Sequence, residues 1–145
     1  MSRKLQQFMG IWKSSDVTVP ASGSWSTPVQ VDTLGNYGRI VRLVVRAPAS
    51  SSWTAGEVRI YQGAYSGSTD PATVPDEDIR VEVTGAAITG SATAADIDEN
   101  IQEVASGAIY DTRTSGVTLW VSVKSTAGTE QQNVTVQIEA TDCNG

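Results

Sequence analysis

Apolar and polar residues alternate with a period of two along most of this chain. Such alternation places one set of side chains on each face of an extended strand and is typical of half-buried β-strands. The alternating runs lie at Val17–Val19, Val29–Val31, Arg39–Ala47, Glu57–Tyr61, Ile79–Thr84, Val117–Val123 and Val134–Ala140, with a less regular run between Glu103 and Tyr110. The intervening segments are rich in Gly, Pro, Ser, Asn and Asp, which turns select. About eight short strands joined by turns predict an all-β fold, an antiparallel, jelly-roll-like β-sandwich.

One segment of the sequence has the features of a short helix instead of a strand. Ala94–Glu103 offers acidic residues at the position of a helix start, where they stabilise the N-terminus of a helix. We therefore expect at most one short helix in the chain.

The strand within Gly38–Arg46 has two different faces. Val41, Leu43 and Val45 form an ordinary core face. The other face interleaves Ile40 and Val44 with Arg42 and Arg46, which suits neither a core nor open solvent. Its apolar members could be desolvated by a partner whose carboxylates receive the arginines, so this face predicts a protein–protein contact.

The first thirteen residues lack strand alternation and place Phe8, Ile11 and Trp12 ahead of the first predicted strand. We interpret residues 1–13 as an N-terminal arm and residues 14–145 as a single β-sandwich domain. The arm packs either on its own domain or on a neighbouring subunit. In the second case its large side chains are interface anchors.

Composition excludes several function classes. The net charge is −6, which argues against nucleic-acid binding. The sequence contains no histidine and a single cysteine, Cys143, which leaves no imidazole-based triad, no zinc site and no internal disulfide. We read neither a signal peptide nor a membrane span, and no phosphate-binding motif occurs. The chain is therefore expected not to be an enzyme and to need no cofactor.

Two acidic clusters are candidate metal sites. Asp76–Asp78 precedes a predicted strand, and Asp96, Asp98 and Asn100 imitate the first half of a calcium loop. The sixth position of that loop is Ile101 and the twelfth is Gly107, instead of the glycine and glutamate that calcium requires. Solvated loop acids explain both clusters better, and no metal is predicted.

The four tryptophans do not belong to an obvious core face. Trp12 lies in the arm, Trp25 and Trp53 lie in Ser-rich loops, and Trp120 points away from its apolar stripe. They are either caps on the open ends of the sandwich, interface anchors, or stacking platforms for sugar rings. The glycan-stacking candidates are Trp25, Trp53 and Trp120. The protein-interface candidates are Phe8, Ile11, Trp12, Arg39, Arg42, Arg46 and Trp120.

Charge is uneven along the chain. Basic residues dominate from Arg39 to Arg59, and acidic residues dominate from Asp70 to Glu103. Such regions can present complementary patches to copies of the chain or to a lattice. The alternative is pairing within one molecule, such as Arg42 opposite Glu82.

The segment Val17–Gln62, with its order VTVPASGSWSTPVQVDTLGNYGRIVRLVVRAPA…TAGEVRIYQG, resembles small β-sandwich structural proteins of tailed bacteriophages. The shared pattern is a Ser/Thr-rich turn, a V-x-V-D strand, a Gly/Tyr turn, a strongly apolar strand and a shorter V-x-I strand. The resemblance implies a decoration or cement protein that binds the major capsid protein. It also implies a homo-oligomer, with a trimer favoured, located in the virion and assembled in the host cytoplasm. A head-fibre or tail component belongs to the same class. The alternative from a different class is a carbohydrate-binding, lectin-like module.

Overall fold

The computed structural model describes residues 8–21, 23–32, 34–47, 53–88, 97–100, 108–125 and 130–142. The described part is built almost entirely of β-strands. In chain order they are β1 (Phe8–Lys13), β2 (Val17–Val19), β3 (Val29–Val31), β4 (Tyr37–Arg46), β5 (Trp53–Gly63), β6 (Ile79–Ile88), β7 (Ile97–Asn100), β8 (Ile109–Asp111), β9 (Thr118–Ser125) and β10 (Gln131–Asp142). Two short 3₁₀ turns, Pro71–Thr73 and Asp76–Asp78, lie between β5 and β6.

The strands form two antiparallel sheets. Sheet 1 has the order β1-β10-β4-β7, with β2 also pairing with β10 and β8 also pairing with β4. Sheet 2 has the order β3-β9-β5-β6. Because β1 and β2 lie along β10 one after the other, and β7 and β8 do the same along β4, each pair acts as one interrupted strand.

Counted this way, the described segments make eight strands, and successive strands alternate between the two sheets except for the β5–β6 hairpin. This is the arrangement of a jelly roll. The prediction of an all-β, jelly-roll-like sandwich is confirmed, and each of the seven regular alternating runs overlaps a strand. Of the less regular run between Glu103 and Tyr110, β8 includes Ile109 and Tyr110, and residues 103–107 lie outside the described residues.

The core lies between the two sheets and is filled by the inward-facing members of the alternating runs. Its most buried side chains are Val19, Ile40, Leu43, Val45, Val58, Ile60, Leu119, Val134, Val136 and Ile138. Tyr110 of β8 and Trp12 of β1 complete it at the periphery of sheet 1. The period-two pattern therefore identifies the core because each strand contributes one of its faces to it.

The predicted N-terminal arm is corrected for its described part. Residues 8–13 form the edge strand β1, paired with β10 over Phe8–Lys13, and Trp12 is only 5% exposed. The alternation is hidden because the register shifts between Phe8 and Gly10, and Gly10 adopts a φ of 139° that favours glycine. From Phe8 onward the segment belongs to its own domain, and residues 1–7 lie outside the described residues.

The predicted short helix is also corrected. Ile97–Asn100 forms strand β7, which pairs with β4 from Arg42 to Val45. Acidic residues mark a helix start only when the segment is free to follow local preference, and here pairing with the exposed edge of β4 overrides it. The rest of the predicted helix, and Asp96 with it, lies outside the described residues.

A bulge divides β4 and changes which residues share a face. Arg42 pairs with Glu139 and Ile40 pairs with Ala140, so Val41 is an extra residue opposite β10. Ile40 therefore joins the core with Leu43 and Val45, and the prediction that Val41 shares their face while Ile40 does not is wrong. The residues of β4 that point away from the core are therefore Arg39, Arg42, Val44 and Arg46.

Candidate binding surfaces

The outward face of sheet 1 combines basic and apolar side chains. Rows of the sheet follow the pairing: Ile11, Glu139 and Arg42 form one row, and Lys13, Gln137 and Val44 form the next. We call this surface the sheet 1 face; it comprises Ile11, Lys13, Arg39, Arg42, Arg46, Gln137 and Glu139. Val44 lies in the same rows but is only 1% exposed, so the prediction that a partner desolvates it is wrong. Asp98 of β7 occupies the register position beside Val44.

Ile11 is the large apolar side chain that stands out on this face. It is 51% exposed, and among the described residues no other large hydrophobic side chain is exposed to a comparable extent. Its neighbour in the chain, Trp12, points inward, so Ile11 necessarily points outward. Of the predicted interface anchors in the first segment, Ile11 is available to a partner and Trp12 is not.

Arg42 is held on this face by a cross-strand ion pair. Its Nη1 donates to Glu139 Oε2 at 2.9 Å, and the Glu139 side chain is 14% exposed. The predicted partner, Glu82, instead accepts from Arg59 Nε at 3.0 Å on sheet 2. The general expectation of pairing within the molecule is therefore met for Arg42, but the named pair is wrong because Arg42 and Glu82 belong to different sheets.

The outward face of sheet 2 is covered by the chain between β5 and β6. Tyr61, Trp120 and Val74 form a second, smaller hydrophobic cluster, with Tyr65 and Ile79 packed against it. Trp120 Nε1 donates to Thr118 Oγ1 at 2.6 Å and Trp120 is 9% exposed. Trp120 is thus neither an interface anchor nor a sugar platform, because the 64–78 segment already packs on it.

The covering segment carries four acidic residues, Asp70, Asp76, Glu77 and Asp78, and no lysine or arginine. Asp76 and Glu77 are exposed in the second 3₁₀ turn, and Tyr65 donates a hydrogen bond from its hydroxyl to Asp78 Oδ2. Burial, followed by that hydrogen bond and the nearby carboxylates, raises the pKa of Tyr65 to about 12. This acidic segment packs on sheet 2, on the side of the sandwich away from the sheet 1 face.

Trp25 lies in a cleft beside this segment. The backbone of residues 23–26 runs antiparallel to β9, with Gly23 N–H donating to Ser125 O and Ser26 N–H donating to Val123 O, both at 2.8 Å. The cleft has a volume of about 510 Å³. It is lined by Ser24, Trp25, Thr27, Thr69, Asp70 and Lys124, among others.

Two cations lie against the Trp25 ring. The Arg59 guanidinium carbon is 5.0 Å from the ring centroid and Lys124 Nζ is 4.9 Å from it. Both are neutralised, since Lys124 pairs with Glu57 at 2.9 Å and Arg59 pairs with Glu82. Arg59 Nη1 also donates to Pro71 O at 2.9 Å, which ties the covering segment to β5.

The remaining predicted site residues are placed as follows. Arg42 and Arg46 share the sheet 1 face, as predicted, Arg39 joins them because of the bulge at Val41, and Trp25 lines a cleft. The side chains of Phe8 and Trp53 lie outside the described residues. Among the described residues no group of His, Cys, Asp or Glu side chains is arranged to hold a metal ion, and no helix there has the length and hydrophobicity to cross a membrane.

Comparison with protein-family models, curated proteins and solved structures found no match for this chain.

Proposed function

We propose that this chain is a non-enzymatic structural protein that binds other protein subunits through the sheet 1 face. The observation that carries the proposal is the row in which the half-exposed Ile11 lies beside the Glu139–Arg42 ion pair. An exposed isoleucine framed by charged groups has the composition of a protein interface, where apolar contacts are surrounded by a polar rim.

The charges of this face indicate the kind of partner it fits. Among the described side chains of this face, Lys13, Arg39, Arg42 and Arg46 outnumber Glu139, within a chain whose net charge is −6. A partner with carboxylates around an apolar pocket would be steered to this face and away from the acidic side of the molecule. The acidic segment of a second copy has suitable charges, and so does an acidic capsid subunit.

The more specific form of the proposal is a capsid decoration protein that binds the major capsid protein and forms a homo-oligomer. The size of the chain, its jelly-roll order and its resemblance to phage sandwich proteins support it, since jelly rolls recur in viral capsid domains. Fold alone does not decide function. The claim that requires a test is therefore that the sheet 1 face binds another protein subunit.

The test is a pair of surface substitutions followed by measurements of assembly. Ile11→Asp and Arg46→Glu should each weaken self-association, measured by size-exclusion chromatography with light scattering, or weaken co-sedimentation with capsids that lack this chain. Ser115→Asp introduces the same carboxylate in an exposed turn away from Ile11 and should leave both unchanged. If all three variants assemble like the wild type while remaining folded, the sheet 1 face is not the interface.

A further substitution separates self-association from binding to another protein. Glu77→Arg reverses an exposed charge of the acidic segment on the opposite side of the sandwich. If the sheet 1 face of one copy binds the acidic segment of another, Glu77→Arg weakens self-association as Arg46→Glu does. If the partner is a capsid subunit that meets only the sheet 1 face, Glu77→Arg leaves capsid binding intact.

A further inference from the structure

We propose that the Trp25 cleft is a binding site for a neutral saccharide, such as a hexopyranose unit of a cell-surface glycan. The proposal goes beyond assembly, because the cleft lies beside sheet 2 whereas the proposed interface is on sheet 1. Its volume of about 510 Å³ is that of a small-molecule site, and an aromatic ring shares the lining with several polar side chains.

The Trp25 ring is positioned as a platform. Lys124 and Arg59 belong to the neighbouring strands β9 and β5, and their cationic groups lie 4.9 and 5.0 Å from the ring centroid. These cation–π contacts restrain the ring. The indole also lines the cleft, where the flat apolar face of a pyranose can stack on it.

The polar groups of the cleft suit hydroxyl groups better than anions. Lys124 and Arg59 already have carboxylate partners, so the cleft holds no uncompensated positive charge for a phosphate or carboxylate. Asp70 Oδ1 accepts the Ala72 N–H at 3.0 Å, which orients its carboxylate. No hydrogen bond from a described residue occupies Oδ2, which can therefore accept from a sugar hydroxyl.

Hydroxyl side chains complete the lining. Ser24 and Thr27 come from the Trp25 segment, and Thr69 comes from the segment that covers sheet 2. A serine or threonine hydroxyl both donates and accepts, as a sugar hydroxyl does. This lining would leave an apolar ligand facing unsatisfied polar groups, which disfavours a purely hydrophobic occupant.

The experiment titrates the full chain with cellobiose, lactose, maltose and mannobiose at millimolar concentrations. Binding is followed by tryptophan fluorescence and by saturation-transfer NMR. At least one disaccharide should bind saturably. Trp25→Ala should weaken its binding by roughly tenfold or more, a loss of about 1.4 kcal/mol or more.

Two further variants keep the result interpretable. Asp70→Asn retains an oxygen that can cap Ala72 but loses the carboxylate charge, so it should also weaken binding while preserving the melting temperature. If Trp25→Ala does not fold, the result for Asp70→Asn decides whether the disaccharide binds in the cleft. Ser115→Asp, at an exposed position outside the cleft lining, should bind the disaccharide like the wild type.

The proposal is overturned if none of the four disaccharides binds saturably, or if folded Trp25 and Asp70 variants bind as well as the wild type. Either result leaves the proposed interface on sheet 1 untouched, because that interface is tested by assembly alone.

Discussion

Replacing Trp12 with alanine should destabilise the domain strongly, because the structure makes this residue part of the core. Trp12 is 5% exposed and packs in the main cluster from the edge strand β1. A tryptophan buries roughly 150–250 Å². At about 25 cal/mol per Å² that area corresponds to roughly 4–6 kcal/mol, and measured aromatic-to-alanine losses are about 3–5 kcal/mol.

Such a loss is a large part of the whole stability, since domains unfold with free energies of about 5–15 kcal/mol. For a chain of this length each kcal/mol moves the melting temperature by about 2–4 °C, so Trp12→Ala should lower it by roughly ten degrees. Chemical denaturation followed by circular dichroism gives the free energy directly. Deleting residues 1–13 removes the β1 strand as well and should cost more than the single substitution.

The matched control is the adjacent residue. Ile11 lies in the same strand but is 51% exposed, so Ile11→Ala should cost less than about 1 kcal/mol. Equal losses for Trp12→Ala and Ile11→Ala would refute the assignment of opposite faces. A loss below about 1 kcal/mol for Trp12→Ala would show that β1 does not contribute to the core.

Three other perturbations follow from the described contacts. Burial raises the pKa of Tyr61 to about 12, so the unfolded chain loses this proton first and stability should fall as the pH rises from 10 to 12, measured by alkaline denaturation. Tyr61→Phe should reduce that dependence and be neutral or stabilising at pH 7, because the buried Tyr61 hydroxyl has no hydrogen-bond partner among the described residues. Ser26→Ala should cost about 1–3 kcal/mol in urea unfolding, since Ser26 Oγ accepts the Val123 N–H at 3.0 Å in a buried site. Gly63→Ala should lower the melting temperature, because a Cβ at residue 63 would lie 2.5 Å from the Tyr65 ring and the backbone φ of 154° disfavours a side chain. An unchanged melting temperature in Ser26→Ala or Gly63→Ala would contradict the packing described.

The sheets could be predicted from the sequence because most strands bury one face and solvate the other. Val134, Val136 and Ile138 alternate so regularly that β10 is recognisable without any tertiary information. The strand β1 was missed because its bulge at Gly10 breaks the alternation. The strand β7 was missed because IDEN has the composition of a helix start, and only its pairing with β4 makes it a strand.

The candidate site could be predicted only in part. The alternation places Arg42 and Arg46 on one face correctly, but it does not reveal the bulge at Val41, which brings Arg39 to the same face. Trp120 and Tyr61 occupy outward positions on paired strands, and that was a usable indication that something covers sheet 2. The Trp25 cleft depends on how distant segments meet, which a single sequence does not reveal.

The position of β10 has a consequence for how the chain is made. β10 lies between β1 and β4, so sheet 1 cannot form until the ribosome has synthesised Gln131–Asp142. Until then the edge of β4 that faces β10 is unpaired along Leu43-Val44-Val45, and apolar strands with an unpaired edge are segments through which nascent chains aggregate. Arg42 and Arg46 flank that stretch on either side and act as gatekeepers that oppose its stacking on other chains. The two arginines thus protect the newly made chain before they serve any partner of the finished one.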